Sequence, residues 1–329
     1  MGRYRVGIVG CGNMGAWYAR GFQALDCQVA ACADPAQERA EALAAQTGAQ
    51  AFPDYRAMLE AGGLDIVVVA TWPSSHREIT VAAAEAGVRG IICEKPIAIT
   101  LAEADEMIEV CERRGVVLTV GHQHRLSPWA REGRRLIEEG AVGKVELIWG
   151  HCSLDLMNNG THVIDTIHAL NGDEPLEWVF GQIDYSSKIF GQRNHPDLYA
   201  EDAAVGRMHY ANGVDAVIDL GVRARQDFAF KVIGSDGVIY LSPAEFRYVG
   251  KETAGWVKPQ LAAGRGGREK IEDLLRAMET GQAPETSARR ARAALEVIVG
   301  IFHSVAERRV VEAPVTASEL SLKVLVEAS

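Results

Sequence analysis

The chain lacks the features that a membrane protein or a nucleic-acid-binding protein needs. No uninterrupted apolar run approaches the roughly 18 residues of a membrane span. Lys and Arg number 34 against 44 Asp and Glu, which gives a formal net charge of −10 at pH 7. Nucleic acids and anionic membranes both recruit basic surfaces, so we expect neither as a partner.

The sequence also lacks the cysteine patterns of a zinc site or a disulfide framework. Its 6 cysteines include no CxxC pair and no zinc-finger spacing. Cysteines of this kind are usually small buried residues of a protein in a reducing compartment. A strand pattern begins at once with YRVGIVG, so we expect no signal peptide. We therefore expect a cytoplasmic protein.

The pattern of apolar and helical segments divides the 329 residues into two predicted domains. From residue 3 to about 121, short apolar runs alternate with segments of helical periodicity. Strands buried on both faces and separated by helices predict an α/β fold with a doubly wound parallel sheet of the Rossmann type. We assign residues 1–121 to this dinucleotide-binding domain.

Residues 122–329 are predicted to form an α+β domain for substrate binding and oligomerisation, built on a mostly antiparallel open sheet. Two hairpins are expected, with turns at Asn212–Gly213 and Asp236–Gly237. A helix at 160–170 should cover one face of the sheet, and a helix at 286–308 should close the chain.

The segment VGIVGCGNMG carries glycines in GxGxxG spacing at Gly10, Gly12 and Gly15, between a strand and a helix. These glycines allow a tight turn, close approach of the backbone to a pyrophosphate, and close packing of helix on strand. Asp34 follows the next strand, 19 residues past Gly15. A carboxylate there accepts hydrogen bonds from ribose hydroxyls and repels a 2′-phosphate, which predicts NAD. NADP stays open as the less favoured alternative, because a guanidinium such as that of nearby Arg39 can accommodate a 2′-phosphate.

The segment CEKP places Lys95 after a later strand of the same predicted sheet. Ligands of such sheets bind at the carboxyl ends of the strands, so Lys95 is expected beside the cofactor. Pro96 biases Lys95 towards an extended backbone. A lowered ammonium pKa near the nicotinamide would suit proton exchange near neutrality.

A polar triplet interrupts the otherwise apolar helical segment LDLMNNGTHVIDTIH. On a regular helix, Asn158, His162 and Asp165 fall within an arc of about 60°. This face is either a solvated stripe or the wall of a site. His162 and His168 would point about 120° apart, which is poor geometry for chelation, so we expect no metal. His122 and His124 either line the cleft or are packed polar residues.

Together, these segments resemble the Gfo/Idh/MocA family of nicotinamide-dependent oxidoreductases, which act on sugars, cyclitols and related polyols. The resemblance covers essentially the whole chain. The segments that carry it are the GxGxxG turn, TWPSSH (71–76), CEKPIAIT (93–100), VGHQHRLSP (120–128) and NNGTHVID (158–165).

The resemblance implies roles for individual residues. Lys95 matches the family's catalytic lysine, and His162 matches the histidine that takes the hydroxyl proton. The cofactor-binding set that we expect is Gly10, Gly12, Asn13, Met14, Asp34, Thr71, Trp72, Pro73, His76, Glu94 and Lys95. The substrate-binding set is Asn158, Asp165, Gln123 and Arg125, although Arg125 matches an element whose role can be purely structural. The family often has an aspartate where this chain has Asn158, and an amide cannot accept a proton.

The resemblance implies hydride transfer between a secondary ring hydroxyl of a sugar, cyclitol or sugar derivative and nicotinamide C4. Two alternatives remain: an NAD-recycling glycosidase or epimerase of the same fold, or a non-enzymatic dinucleotide-binding sensor. Family analogy favours a homodimer or homotetramer. Arg193, His195 and Asp197 lie in a long loop and are weak candidates for substrate selection.

Overall fold

The computed structural model of the protein describes residues 2–186, 200–221, 228–264 and 266–316. The chain forms two compact units. One comprises Met1–His122 and Arg268–Ala291, and the other comprises Gln123–Gly267 and Arg292–Ser329. The domain boundary after residue 121 that the sequence predicts remains a proposal. Contacts between residues also assign Arg268–Ala291 to the first unit.

The first unit contains a parallel sheet with the strand order β3-β2-β1-β4-β5-β6. Each neighbouring pair in this sheet is parallel. The strands are β1 (Arg5–Val9), β2 (Gln28–Ala33), β3 (Gln50–Phe52), β4 (Ile66–Val69), β5 (Gly90–Cys93) and β6 (Val117–Val120). This order is that of a doubly wound dinucleotide-binding sheet, and it confirms the predicted fold.

Helices connect the successive strands of this sheet. They are α1 (Asn13–Gln23), α2 (Gln37–Thr47), α3 (Tyr55–Ala61), α4 (His76–Glu85) and α5 (Leu101–Arg114). Helix α5 begins with a capping box between Thr100 and Glu103 and ends at Gly115, whose φ of 69° is left-handed.

The second unit contains a mostly antiparallel sheet with the strand order β13-β12-β11-β7-β10-β9-β8-β14. Within it, β7 and β10 pair in parallel, and the other neighbours are antiparallel. The strands are β7 (Val145–Cys152), β8 (Leu176–Asp184), β9 (Ala203–Tyr210), β10 (Asp215–Gly221), β11 (Ala229–Gly234), β12 (Gly237–Leu241), β13 (Phe246–Val249) and β14 (Val311–Glu312). The predicted open, mostly antiparallel sheet is confirmed.

The first predicted hairpin is confirmed, and the second differs by one residue in its turn. Strands β9 and β10 are joined through Asn212 and Gly213, whose φ is 81°. In the β11–β12 hairpin, Gly234 pairs with Gly237, so the turn is Ser235–Asp236. Gly237 is needed for another reason: a Cβ atom there would lie 2.1 Å from the carbonyl oxygen of Val249.

The remaining helices are α6 (Pro128–Glu138), α7 (Thr161–Leu170), α8 (Gly267–Thr280) and α9 (Ala288–Glu307). Helix α7 packs closely on β7. A Cβ atom at Gly150 of β7 would lie 2.6 Å from the side chain of Val163 and 3.0 Å from that of Ile167. The helix that the sequence predicts over one sheet face is therefore present. Among the helices of the described ranges, none combines the length and the apolar character that crossing a bilayer requires.

Helix α8 belongs to the core of the first unit. Its residues Ile271, Leu274 and Leu275 are buried in one hydrophobic cluster with Ile8 of β1 and Tyr18 of α1. Burial of these apolar side chains attaches α8 to the parallel sheet, although about 150 residues of chain separate it from β6.

Candidate active site

The glycine-rich turn between β1 and α1 has the geometry of a dinucleotide site. Gly10 has a φ of 93°, and a Cβ atom there would lie 2.5 Å from the carbonyl oxygen of Ala70. A Cβ atom at Gly15 would lie 2.0 Å from the carbonyl oxygen of Gly10, so glycine is required for helix and strand to pack this closely. At Gly12, by contrast, no described atom lies within 4 Å of the Cβ position. The turn is thus tight on its protein side and open where a ligand would approach.

The first turn of α1 can accept an anion. Gly12 is its N-cap, and no side chain of the described residues caps it. Asn13 and Met14, which the sequence predicts to contact the cofactor, are exposed in this turn. Uncapped N–H groups at a helix N-terminus attract phosphate, so the residues present fit the pyrophosphate of NAD.

Asp34 stands directly after β2 and is buried. Its Oδ2 accepts a hydrogen bond from the backbone N–H of Cys11 at 2.8 Å, and its Oδ1 accepts one from Ala36 at 2.9 Å. These two bonds fix a carboxylate against the glycine-rich turn. The placement suits recognition of a ribose diol and disfavours a 2′-phosphate.

The loop after β4 is joined to the Lys95–Pro96 segment by a buried histidine. Nδ1 of His76 lies 2.9 Å from the carbonyl oxygen of Pro96, and Nε2 lies 3.1 Å from that of Thr71. Burial lowers the pKa of His76, so the ring is neutral and donates its single N–H to one of these carbonyls. Pro73 of the same loop is buried, while Trp72 is exposed. His76 therefore positions both loops through their backbones.

Glu94 and Lys95 follow β5, at the same carboxyl edge of the sheet as the glycine-rich turn after β1. Lys95 is partly exposed and Glu94 is buried. Oε1 of Glu94 accepts hydrogen bonds from the Tyr18 hydroxyl at 2.6 Å and from Nζ of Lys270 at 3.0 Å. The carboxylate that the sequence places at the cofactor is thus held by α1 and α8.

In the second unit, Asn158 lies in a π-helical turn, Leu156–Gly160, that precedes α7. Oδ1 of Asp155 accepts a hydrogen bond from the backbone N–H of Asn158 at 2.9 Å. Oε1 of Glu201 accepts one from the N–H of Leu156 at 2.5 Å. Because a π-helical turn has a different angular step, the regular-helix phase assumed for Asn158 and His162 is wrong.

His162 lies in the first turn of α7 and is buried, as are the other residues of that helix. Its ring meets that of His124 edge-on, with centroids 4.8 Å apart, and that of Phe228 at 5.8 Å. The polar face of α7 is therefore not a solvated stripe. His124 lies in the 3-10 turn Gln123–Leu126, beyond the end of β6, rather than on a strand.

Arg125 and Asp165, both predicted to bind substrate, contact each other. Nε of Arg125 lies 3.4 Å from Oδ2 of Asp165, and its Nη2 lies 2.6 Å from Oδ1 of Asp173. Gln123, at the start of the same 3-10 turn, is partly exposed. This arrangement favours a supporting role for the ion pair and leaves Gln123 and Asn158 as the more accessible polar groups.

The structure thus gathers the predicted cofactor residues at one sheet edge of the first unit and His162, Asn158, Gln123 and Arg125 around α7 in the second. Arg193, His195 and Asp197 lie outside the described residues. In the parts of the chain that are described, no group of three or more His, Cys, Asp and Glu residues could hold a metal ion.

The sequence interpretation did not identify Tyr18 and Lys270, which hold Glu94. A signal for Lys270 was present, because Lys270, Leu274 and Ala277 have the i, i+4, i+7 spacing of one helix face. A lysine inside an apolar stripe needs a buried partner.

Both parts of the chain match profiles of one protein family. Residues 4–122 match the GFO_IDH_MocA oxidoreductase family, described as having an NAD-binding Rossmann fold, and residues 153–240 match the GFO/IDH/MocA C-terminal domain. A D-apiose dehydrogenase of Paraburkholderia graminis is 28% identical over 94% of this chain and 90% of its own length. A protein of Streptococcus pneumoniae named as an uncharacterized oxidoreductase is 32% identical over 72% of this chain and 68% of its own length.

Solved structures show the same fold. A levoglucosan dehydrogenase in complex with NADH and L-sorbose superimposes with a TM-score of 0.85 at 23% identity, covering 95% of this chain and 100% of that one. An aldose-aldose oxidoreductase from Caulobacter crescentus, complexed with glycerol, gives a TM-score of 0.83 at 21% identity, covering 94% and 99%. The matched sequence profiles agree with the two sheets and with the glycine-rich turn that Asp34 contacts. The chain belongs to the Gfo/Idh/MocA family of NAD-binding oxidoreductases.

Proposed function

We propose that the protein is an NAD-dependent dehydrogenase of a secondary ring hydroxyl in a sugar, cyclitol or sugar derivative, or a reductase of the corresponding ketone. Similarity to proteins named D-apiose dehydrogenase and myo-inositol 2-dehydrogenase supports this substrate class. The identities of 28% and 25% leave the particular substrate open within the class.

One observation carries the proposal. The open glycine-rich turn after β1 and Lys95 after β5 lie at the same carboxyl edge of one parallel sheet. A dinucleotide bound at that turn extends along this edge, because ligands of such sheets lie outside the carboxyl ends of the strands. An ammonium group there can act on a substrate that is presented to the cofactor.

We assign the handling of the hydroxyl proton to two side chains. NAD, when bound, supplies the hydride acceptor. The Lys95 ammonium donates a hydrogen bond to the reacting oxygen and stabilises negative charge that develops there. His162 accepts the hydroxyl proton as general base, and the adjacent rings of His124 and Phe228 restrict its orientation.

Asn158 and Gln123 are proposed to orient the substrate hydroxyls. Both are partly exposed amides, and an amide can donate and accept hydrogen bonds with a polyol. Since Asn158 cannot take a proton, it binds substrate and leaves the base role to His162. Arg125 and Asp165 support α7 through their ion pair.

The test is to mix the protein with NAD and a panel of sugars and cyclitols and to follow the absorbance band of reduced nicotinamide. Lys95→Ala should lower kcat by roughly 10²–10⁴-fold while NAD still binds. The exposed Lys251→Ala variant is the matched control and should keep full activity. Near-normal turnover by Lys95→Ala would refute the assigned role.

The same assay separates the two alternatives. An NAD-recycling glycosidase or epimerase would convert its sugar without net formation of NADH. A dinucleotide-binding sensor would bind NAD and leave every compound of the panel unchanged. Either result would overturn the dehydrogenase proposal.

We further propose a homodimer or homotetramer formed through the open face of the second sheet. Phe180 of β8 and Val205 of β9 lie on this face and are 43% and 51% exposed. Large exposed apolar side chains on adjacent strands favour self-association. We place the protein in the cytoplasm, since all six cysteines are buried free thiols. Light scattering of wild type and Phe180→Asp tests the assembly, and a monomeric wild type would contradict it.

A further inference from the structure

Lys270 of α8 is a buried cation in the core of the first unit. Its residue surface is 2% exposed, and its neighbours Ile271, Leu274 and Leu275 belong to the hydrophobic cluster of that unit. An ammonium group removed from water is costly unless it is paired and hydrogen-bonded. The residues that contact the Lys270 ammonium therefore indicate its role.

The partners of Lys270 come from the two segments that frame the cofactor site. Nζ lies 3.0 Å from Oε1 of Glu94, and the Tyr18 hydroxyl donates to the same oxygen at 2.6 Å. Nζ also stands over the rings of Trp17 and Tyr18, at 4.8 and 4.4 Å from their centroids. Trp17 and Tyr18 belong to α1, whose N-terminus faces the predicted pyrophosphate site.

Glu94 has little freedom to move within this arrangement. A Cβ atom at Gly121 would lie 2.8 Å from Oε1 of Glu94, so the carboxylate packs against the backbone of the loop after β6. Glu94 is also bonded to Lys95 through the chain. Whatever fixes the Glu94 carboxylate therefore fixes the backbone from which the Lys95 side chain begins.

We propose that Lys270 is a positioning residue for Lys95: it occupies the Glu94 carboxylate and thereby keeps the Lys95 ammonium directed to substrate. This inference rests on the proposed dehydrogenase function.

The ionisable groups around Glu94 support a competition between Lys270 and Lys95 for its carboxylate. Burial raises the pKa of both Tyr18 and Cys93, and it lowers that of His76, so these three neighbours are neutral. Burial alone would raise the pKa of Glu94, but the charge of Lys270, the hydrogen bonds from Tyr18 and Lys270, and the charge of Lys95 hold it below its usual range. Among the described residues that act on this carboxylate, Lys270 and Lys95 are the cations.

Removing Lys270 should therefore turn Glu94 towards Lys95. A carboxylate that has lost its neighbouring cation raises the pKa of a second ammonium beside it and draws that group into an ion pair. Lys95 would then be displaced from the reacting oxygen, and a displacement of about 1 Å can reduce the rate roughly 10²-fold.

The experiment compares Lys270→Met, Lys270→Arg and the double variant Lys270→Met/Glu94→Gln with wild type. Lys270→Met should lower kcat by about 10–100-fold with a smaller change in KM. Lys270→Arg keeps the charge and should retain most of the activity. The double variant also removes the negative charge of Glu94, so it should recover part of the kcat that Lys270→Met loses. Lys251→Met is the exposed control.

A second readout needs neither NAD nor substrate. The rate at which acetic anhydride labels Lys95 as a function of pH, followed by mass spectrometry, gives the pKa of its amine in the free protein. Lys270→Met should shift this midpoint upward by about one pH unit, and the double variant should return it towards wild type. A destabilising cavity alone would lower the unfolding temperature without this pattern.

The two readouts separate failure of this inference from failure of the proposed function. If the labelling midpoint shifts as described but wild type oxidises no polyol, the positioning relationship holds and the dehydrogenase proposal fails. An unchanged midpoint in folded Lys270→Met would overturn the role of Lys270. So would a kcat loss that the double variant does not relieve.

Discussion

Arg125 and Asp165 form an ion pair at 3.4 Å with side chains that are only 1% and 2% exposed. Arg125 lies in the 3-10 turn that follows β6, and Asp165 lies in the second turn of α7. Asp173, beyond the end of α7, contacts the same guanidinium at 2.6 Å. One buried cation thus joins the turn that carries Gln123 and His124 to the helix that carries His162.

We predict that Arg125→Met destabilises the protein strongly, because it leaves two carboxylates without their shared cation. Removing one partner of a buried pair costs roughly 3–5 kcal/mol. Chemical unfolding followed by circular dichroism measures the loss. Arg135→Met is the control. The half-exposed Arg135 pairs with Glu132 of α6 and with Glu139, the C-cap of that helix, and its loss should leave the unfolding midpoint nearly unchanged.

Asp165→Asn distinguishes this structural role from the substrate contact that the sequence predicts. A structural role predicts lower stability with KM for the substrate preserved in the folded fraction. If the variant instead keeps its stability and raises KM, Asp165 binds substrate.

Gly10 and Gly12 are predicted to respond differently to alanine. At Gly10, φ of 93° and a Cβ position 2.5 Å from the Ala70 carbonyl oxygen oppose any side chain, so Gly10→Ala should lower stability by at least about 1–2 kcal/mol. At Gly12 no described atom meets the Cβ, so Gly12→Ala should fold normally.

Both variants should bind NAD more weakly, Gly12→Ala because its methyl group occupies the space for the pyrophosphate. Calorimetric titration with NAD and thermal unfolding give the two quantities. Normal NAD affinity in Gly12→Ala would place the dinucleotide elsewhere.

Much of the first unit could be predicted from sequence, because its central strands β1, β4 and β5 are buried almost throughout and read as short apolar runs. Gly10, Gly15 and Asp34 stand where GxGxxG spacing places them, and Lys95 follows a strand of the same sheet. Local periodicity is enough here, since sequential strands and helices alternate regularly.

Relationships between distant residues were not predictable in the same way. The parallel pairing of β7 with β10 and the contact of Glu94 with Lys270, 176 residues apart, depend on packing that no local pattern encodes. The π-helical turn before α7 also escaped prediction. It depends on Asp155 and Glu201 accepting backbone N–H groups, whereas the periodicity of the segment suggests an ordinary helix.

Asp34 is predicted to set the choice between NAD and NADP. Asp34→Ser removes a carboxylate that would face a 2′-phosphate, and like charges placed together cost several kcal/mol. The ratio of kcat/KM for NADP to that for NAD should therefore rise by about tenfold or more, which corresponds to 1.4 kcal/mol.

Initial rates with both dinucleotides measure this change. Asp54→Ser is the control, since serine can still cap α3 in place of the Asp54 side chain. An unaltered preference in Asp34→Ser would assign discrimination to another residue, such as Arg39.

Glu201 is a buried carboxyl group that should make the stability of the protein depend on pH. Burial, with the nearby charges of Asp155 and Asp202, raises its pKa from 4.5 to about 7, against the opposing effect of its hydrogen bond from Leu156. Below about pH 4.5 both folded and unfolded states hold the proton. Between pH 4.5 and 7 the unfolded state releases it first, so this group makes folding less favourable as pH rises.

Glu201→Gln should remove this dependence, because an amide keeps the acceptor for the Leu156 N–H and does not ionise. Relative to wild type, the variant should therefore gain stability as pH rises from 5 to about 8, measured as the difference in unfolding temperature. The exposed Glu146→Gln is the matched control and should follow the wild-type profile. If Glu201→Gln and wild type show the same pH profile, Glu201 is ionised in both the folded and the unfolded state. The π-helical turn would then be held by a carboxylate throughout this range.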